Sequence, residues 1–405
     1  MALASSLFPR PLCGSREEHN HHPYFELAPR ENLPVLLYAW VMNEWSVLQQ
    51  ALDTYFCQRT DEQRFSGVVR ITQGSEEVFG EAYGLASRTW GVPASMDTRF
   101  DTASLTKLFT AVATLQCIDR GAFALDTPVI PYLGLQNTTI SDEVTVFHLL
   151  THSSGIGDDS EEEDGEDYAD LWKTKPNYSI LETVDFLPQF ASKPRNFPPG
   201  ERCRYCNCGF VLLGLMIEKA SGMSYRAYVR QHIFAPAGMK DSAFFSMDQC
   251  TPNVAEGCDA IRDKQGDIEG WHKNIYSYPI IGSPDSGAHV TAADLDRFLR
   301  AVRKNVLTSK DSAKRFFTPQ ISYKQREGWE MQYGLGMWFY VESDGHVVCC
   351  QKEGYNAGVS AVMRYFPDSD INVIILSNMA EGAWEPAWHI HELIIDALDD
   401  SSTKC

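Results

Sequence analysis

Hydrophobic positions along the chain change period several times, and each change predicts an element. From Phe65 to Thr72 and from Glu77 to Gly84 apolar and polar residues alternate around Gly74-Ser75, the pattern of a β-hairpin with a tight turn. After Ser104 the period lengthens. Leu108, Phe109, Ala111, Val112 and Leu115 recur at helical spacing and predict a helix that ends near Gly121. Val211 to Ile217 predicts a second apolar helix. Toward the C-terminus, Met337 to Val341, His346 to Gln351, Ala357 to Phe366 and Ile371 to Leu376 read as strands, and Trp384 to Leu398 as a helix lying across their sheet. At the other end, Leu33 to Met42 continues through Trp45, Leu48, Leu52 and Phe56 with the spacing of an amphipathic helix on a sheet, and it is too short to span a bilayer. Between about 120 and 284 the pattern is helical and loop-rich, without an internal repeat. The expected fold is α/β (α+β): an antiparallel sheet flanked by helices, with a large all-helical insertion. Its expected parts are an N-terminal tail at 1–32, a split α/β sheet domain at 33–119 and 285–399, and a helical domain at 120–284.

Composition narrows the function. The 405 residues are 44% hydrophobic and 22% charged, ordinary for a globular chain able to bury a sizeable core. A formal net charge of -19 argues against nucleic acid and anionic membrane surfaces, because no cluster of Lys and Arg is assembled. Met1 to Arg30 is broken by prolines, charges and the His19, His21, His22 tract, so no secretion signal is read there and a cytoplasmic location is expected. The eleven cysteines fall at irregular spacing, including Cys349-Cys350 and the cluster Cys203, Cys206, Cys208, which fits reduced thiols rather than a disulfide framework. No metal is expected: the Cys203 cluster lacks a second ligand pair, and His389 and His391 stand two apart on a helix and so on different faces.

The candidate chemistry begins at Ser104-Leu105-Thr106-Lys107. At this spacing on a helix the two side chains share one face, so Lys107 can touch Ser104. A serine hydroxyl is a poor nucleophile until its proton is taken, and desolvation can hold a half-buried amine neutral at pH 7. Company strengthens the signal: Phe100-Asp101-Thr102-Ala103 before it, Leu149-Leu150-Thr151-His152-Ser153-Ser154-Gly155 after it, then Pro198-Pro199-Gly200, Tyr205-Cys206-Asn207 and Lys352-Glu353-Gly354. With these residues the chain resembles the serine β-lactamase and penicillin-binding-protein superfamily, in its class C branch with related esterases, D-aminopeptidases and D,D-peptidases, from about Phe65 to Asp396.

The resemblance implies a β-lactamase/transpeptidase-like fold and a set of roles. Ser104 would be the nucleophile and Lys107 its base, while Tyr205 would take a proton if Lys107 and Lys352 lower its pKa. Asn207 would hold Lys107 and the substrate's acyl amide. Lys352, Glu353 and Gly354 would lie on the strand edging the site, with the N–H groups of Ser104 and Tyr355 forming the oxyanion hole. Glu353 departs from the family pattern, where a hydroxyl helps bind a substrate carboxylate; a glutamate there would repel it. His152 is expected to fix its turn, and the acidic run 158–167 to be a solvated, mobile loop. The expected function is a serine hydrolase forming an acyl-enzyme on Ser104 and acting on a small ester, amide or peptide without a cofactor. The alternatives are a β-lactamase or D,D-carboxypeptidase, and a non-catalytic binding or scaffold protein.

Overall fold

A computed structural model describes residues 45–326 and 328–402. Its centre is an eight-stranded antiparallel sheet. The strands in chain order are β1 (Gly67–Gln73), β2 (Glu76–Tyr83), β3 (Ile321–Arg326), β4 (Trp329–Tyr333), β5 (Trp338–Glu342), β6 (Val347–Asn356), β7 (Val359–Phe366) and β8 (Ile371–Ser377). They lie side by side as β2-β1-β8-β7-β6-β5-β4-β3. The expected hairpin forms around Gly74, whose φ of +56° is the left-handed turn conformation that glycine adopts without a Cβ penalty.

β8 is buried along its whole length because both faces of the sheet are covered. Val373 and Ile375 enter one core with Leu48, Leu52 and Phe56 of helix α1 (Trp45–Asp61) and Ile390, Leu393 and Ile394 of the C-terminal helix (Trp384–Ser402). Ile374 and Leu376 enter the other core, built on α2 (Thr106–Asp119), α3 (Cys208–Ser221) and α4 (Ala292–Arg303). Each such aliphatic side chain contributes about 1.5 to 3 kcal/mol when taken fully from water. The four C-terminal strands, the helix after Ser104 and the apolar helix therefore appear where their periodicity puts them. The stretch Leu33 to Met42 lies outside the described residues.

Two features lie outside these expectations. β3 and β4 are not among the expected strands, although Ile321, Tyr323, Trp329, Met331 and Tyr333 alternate with polar residues, and a hairpin of Cys258–Arg262 with Ile268–Lys273 stands in the stretch expected to be helical and loop-rich. β3 is the edge of the sheet and the second hairpin a detached pair, places where no second apolar face is needed. No helix among the described residues is long and apolar enough to cross a membrane.

Candidate active site

Ser104 sits at a strained junction. Phe100 and Asp101 pair with Val290 and His289, and the Thr102 N–H and hydroxyl both donate to the Ala288 carbonyl, at 3.0 and 2.7 Å. Ala103 then takes φ +43°, a left-handed conformation costing an L-residue about 1 to 2 kcal/mol. Its N–H is held by the Asp101 carboxylate at 2.7 Å. The chain turns through Ala103–Leu105 into α2, leaving Ser104 partly open among fully buried neighbours.

Two side chains meet its hydroxyl. Lys107 Nζ lies 3.0 Å from Ser104 Oγ, and it also donates to Asn207 Oδ1 at 2.7 Å and to the Asp285 carbonyl at 2.8 Å. The Tyr205 hydroxyl donates to Ser104 Oγ at 2.8 Å. Lys107 has no exposed surface, and burial pushes its ammonium below the usual lysine range, against the pull of Asp285, Glu162 and Asp158. Tyr205 moves opposite to expectation. Burial first and Glu162 next raise its phenol well above the ordinary value, so the neighbouring ammonium groups do not make it an anion.

β6 runs beyond the expected strand, through Lys352, Glu353, Gly354 and Tyr355 to Asn356, and its alternation separates these residues. Lys352 and Gly354 stand opposite Met363 and Ala361 of β7, which belong to the core on the α2 side. The Lys352 amine lies 4.8 Å from the Tyr205 ring centre, and among the described residues no hydrogen-bond partner reaches it. A Cβ on Gly354 would stand 2.1 Å from the Thr102 carbonyl oxygen and 3.1 Å from Ser104 N, so only glycine lets the strand approach the serine this closely. That approach brings the backbone entering Tyr355 beside the Ser104 N–H.

Glu353 is placed differently from the expectation. It stands opposite Val362, in the core beneath the C-terminal helix, and accepts a hydrogen bond from Gln351 on that face. Gln351 in turn accepts from Arg364 Nε at 2.5 Å. The carboxylate thus faces away from the Lys352 side of the strand. Tyr355 shares its face, with its ring 6.2 Å from Trp384.

The acidic run 158–167 is the second correction. Its second half, 163–167, is exposed as expected, but Asp158 and Asp159 are each only 3% exposed, and the first half packs on the Tyr205 segment. Runs of like charge read as solvated because sequence does not show which N–H groups will face them. His152, also buried, fixes its turn as expected. Its carbonyl accepts from Arg204 N at 2.9 Å, its Nδ1 from Cys206 N at 3.1 Å, and its ring lies 4.5 Å from that of Tyr205. Burial, then Lys352 and Lys107, push its pKa well down and keep it neutral. Among the described residues, the metal-ligand donors that gather within 4.8 Å are those of Asp158, Asp159 and Cys208. Both Asp158 oxygens are committed to backbone N–H groups, and Cys208 Sγ accepts from Asp159 N at 3.2 Å. That arrangement is a helix cap. Cys203 is turned elsewhere, toward the Thr151 carbonyl at 3.4 Å.

Comparison with known proteins agrees with this architecture. A family model described as Beta-lactamase matches residues 52–392. Penicillin-binding protein 4* of Bacillus subtilis (strain 168) is 28% identical over 344 residues, 82% of this chain and 72% of that protein. Esterase EstB of Burkholderia gladioli is 35% identical over 214 residues, 50% of this chain and 53% of the esterase. Among solved structures, the penicillin-binding protein from Bacillus halodurans has a TM-score of 0.77 at 34% identity, over 84% of this chain and 99% of that one. A match that begins in α1 and closes in the C-terminal helix, the two helices that share one face of the sheet, takes in every strand of that sheet and the turn that carries Ser104, and the chain belongs to the beta-lactamase family.

Proposed function

We propose that this protein is a serine hydrolase that forms an acyl-enzyme on Ser104 and acts on small esters or amides. One observation carries the reading: a partly open serine hydroxyl stands 3.0 Å from a buried amine and 2.8 Å from a half-buried phenol. Desolvation favours the neutral form of Lys107, which can accept the Ser104 proton as Oγ attacks the carbonyl carbon. Negative charge then develops on the substrate oxygen, where the N–H groups of Ser104 and Tyr355 would receive it; one such donor is typically worth about 3 kcal/mol. Tyr205 remains a phenol. It serves as the donor that protonates the leaving group, and the proton held on Lys107 restores it. Lys352 stands against the ring of Tyr205 on the same side of the site, and burial and then Lys107 push its pKa well down.

A fluorophosphonate should add one adduct to the intact protein, mapped by mass spectrometry to Ser104 and lost in Ser104→Ala. No adduct on the wild type, or an adduct on a cysteine, would end this reading. A second reading, acylation by a β-lactam, is favoured by the similarity to penicillin-binding proteins, and exposure to a penicillin in the same measurement separates the two.

A further inference from the structure

We infer that the acidic segment 158–164 is the device that positions Tyr205 and Asn207, with Asp158 and Glu163 as its working residues. The inference rests on the serine-hydrolase reading. Residues 204–207 precede α3 without regular structure of their own, so something outside the segment must hold them. Glu163 accepts from the Tyr205 N–H at 2.9 Å, and Asp158 accepts from the N–H groups of Asn207 at 2.7 Å and Cys208 at 2.9 Å. Glu161 and Asp164 both take the Arg204 guanidinium at 2.8 Å. The Asn207 side-chain amide faces Glu162 while its oxygen takes Lys107. Five carboxylates therefore converge on Arg204, Tyr205 and Asn207 and on Cys208, the first residue of α3.

The energetics favour positioning over a chance contact. Taking the Asp158 carboxylate out of water is costly unless it gains strong donors, and the first free N–H groups of a helix are such donors. Asp158 receives three N–H bonds, including that of Asp159 at 3.1 Å, so it is the member of the buried pair that carries the charge; burial and Asp158 together push Asp159 further up. The charge also reaches Lys107. The groups facing that amine are Asp158 and Glu162 from this segment, Asp285 before α4, Tyr205 and Cys206, His152, and Lys352 from β6. Removing the Asp158 charge removes one attraction that keeps a proton on Lys107, so the base becomes available at lower pH.

The test follows fluorophosphonate acylation and p-nitrophenyl butyrate kcat/KM against pH, using the full chain. Glu163 is exposed. Glu163→Ala is expected to slow acylation roughly ten- to a hundredfold, the usual effect of a small misplacement of a reacting group, and Glu163→Gln to restore it because the amide oxygen accepts the same N–H. Asp158→Asn is expected to lower the plateau and move the acid limb of the profile to lower pH, which loss of fold alone would not do. Equal rates in wild type and Glu163→Ala, or an Asp158→Asn profile reduced without a shifted limb, would overturn the inference. If Asp158→Asn does not fold, the Glu163→Ala and Glu163→Gln pair decides. A wild type that takes no label would instead reject the serine-hydrolase reading itself.

Discussion

Lys352 is a buried amine with no exposed surface and no hydrogen-bond partner among the described residues. Such a group opposes folding, because its water contacts are lost and nothing replaces them. Burial first and Lys107 second depress its pKa well below the lysine value. In the window between that depressed value and the unfolded value of about 10.4, the unfolded chain holds one proton more, so lowering the pH weakens the wild-type fold by up to about 1.4 kcal/mol per unit. Lys352→Met removes both terms. It should unfold at higher urea by at least about 1 kcal/mol at pH 7, with the gap narrowing as the pH approaches 10, while acylation of Ser104 falls. A variant that is less stable, or a gap that does not vary with pH, would show that the amine is better satisfied than its surroundings indicate. Glu353 makes the complementary point. Among the described residues no carboxylate pairs with the buried Arg364, and the bonds through Gln351 lead to Glu353, so this departure from the family pattern serves the interior beneath the C-terminal helix.

At the level of elements, the position of α2 depends on what pins the neighbouring helix to the sheet. α4 begins at Thr291, whose hydroxyl accepts from Asp294 N at 3.1 Å as an N-cap, and it turns an apolar face of Leu295, Phe298, Leu299 and Val302 inward. On the flank of that face stands Asp296, only 3% exposed. It accepts from Thr72 of β1 and Asn372 of β8, both at 2.9 Å, and pairs with Arg300 one turn along at 2.7 Å. Three donors from two strands and the helix thus share one carboxylate, so its removal leaves buried groups unpaired. Asp296→Ala should destabilise the protein by about 3 to 5 kcal/mol, read from urea unfolding. A loss below about 1 kcal/mol would mean that the apolar face alone docks the helix.

On the scale of the whole molecule, the site is assembled from distant parts of the chain. Ser104 stands in the turn entering α2 and Lys107 on α2, Tyr205 and Asn207 before α3, and Lys352 and Gly354 on β6, and no two of these pairs lie in one local unit. β1 closes on β8, from Gly67 beside Ser377 to Gln73 beside Ile371, so the two ends of the scaffold fasten one another. Reactivity at Ser104 should therefore disappear in the same urea transition as the far-ultraviolet circular dichroism signal. Loss of labelling at clearly lower urea would place the Tyr205 segment in a separately melting unit. The net charge of -19 is spread over the chain, with part of it turned inward around Tyr205 and Asn207.

The sequence by itself determined the elements whose periodicity is strong and local: the hairpin at Gly74, the helix after Ser104, the apolar helix near residue 211, and the central strands β7 and β8 with their continuous apolar runs. Spacing on a helix also put Lys107 beside Ser104, while it was the resemblance carried by Tyr-x-Asn and Lys-Glu-Gly that implied Tyr205, Asn207 and Lys352 would join them. Tertiary structure alone decided the rest. Which face of β6 each residue of Lys352-Glu353-Gly354 takes depends on the register with β7, and a strand alternates whatever its neighbours are. Whether a run of carboxylates is solvated or buried depends on N–H donors supplied from more than forty residues away. The direction in which Tyr205 titrates was also undecided by sequence, because nearby ammonium groups would lower its pKa and burial raises it, and only the packing around the ring shows that burial is the larger effect.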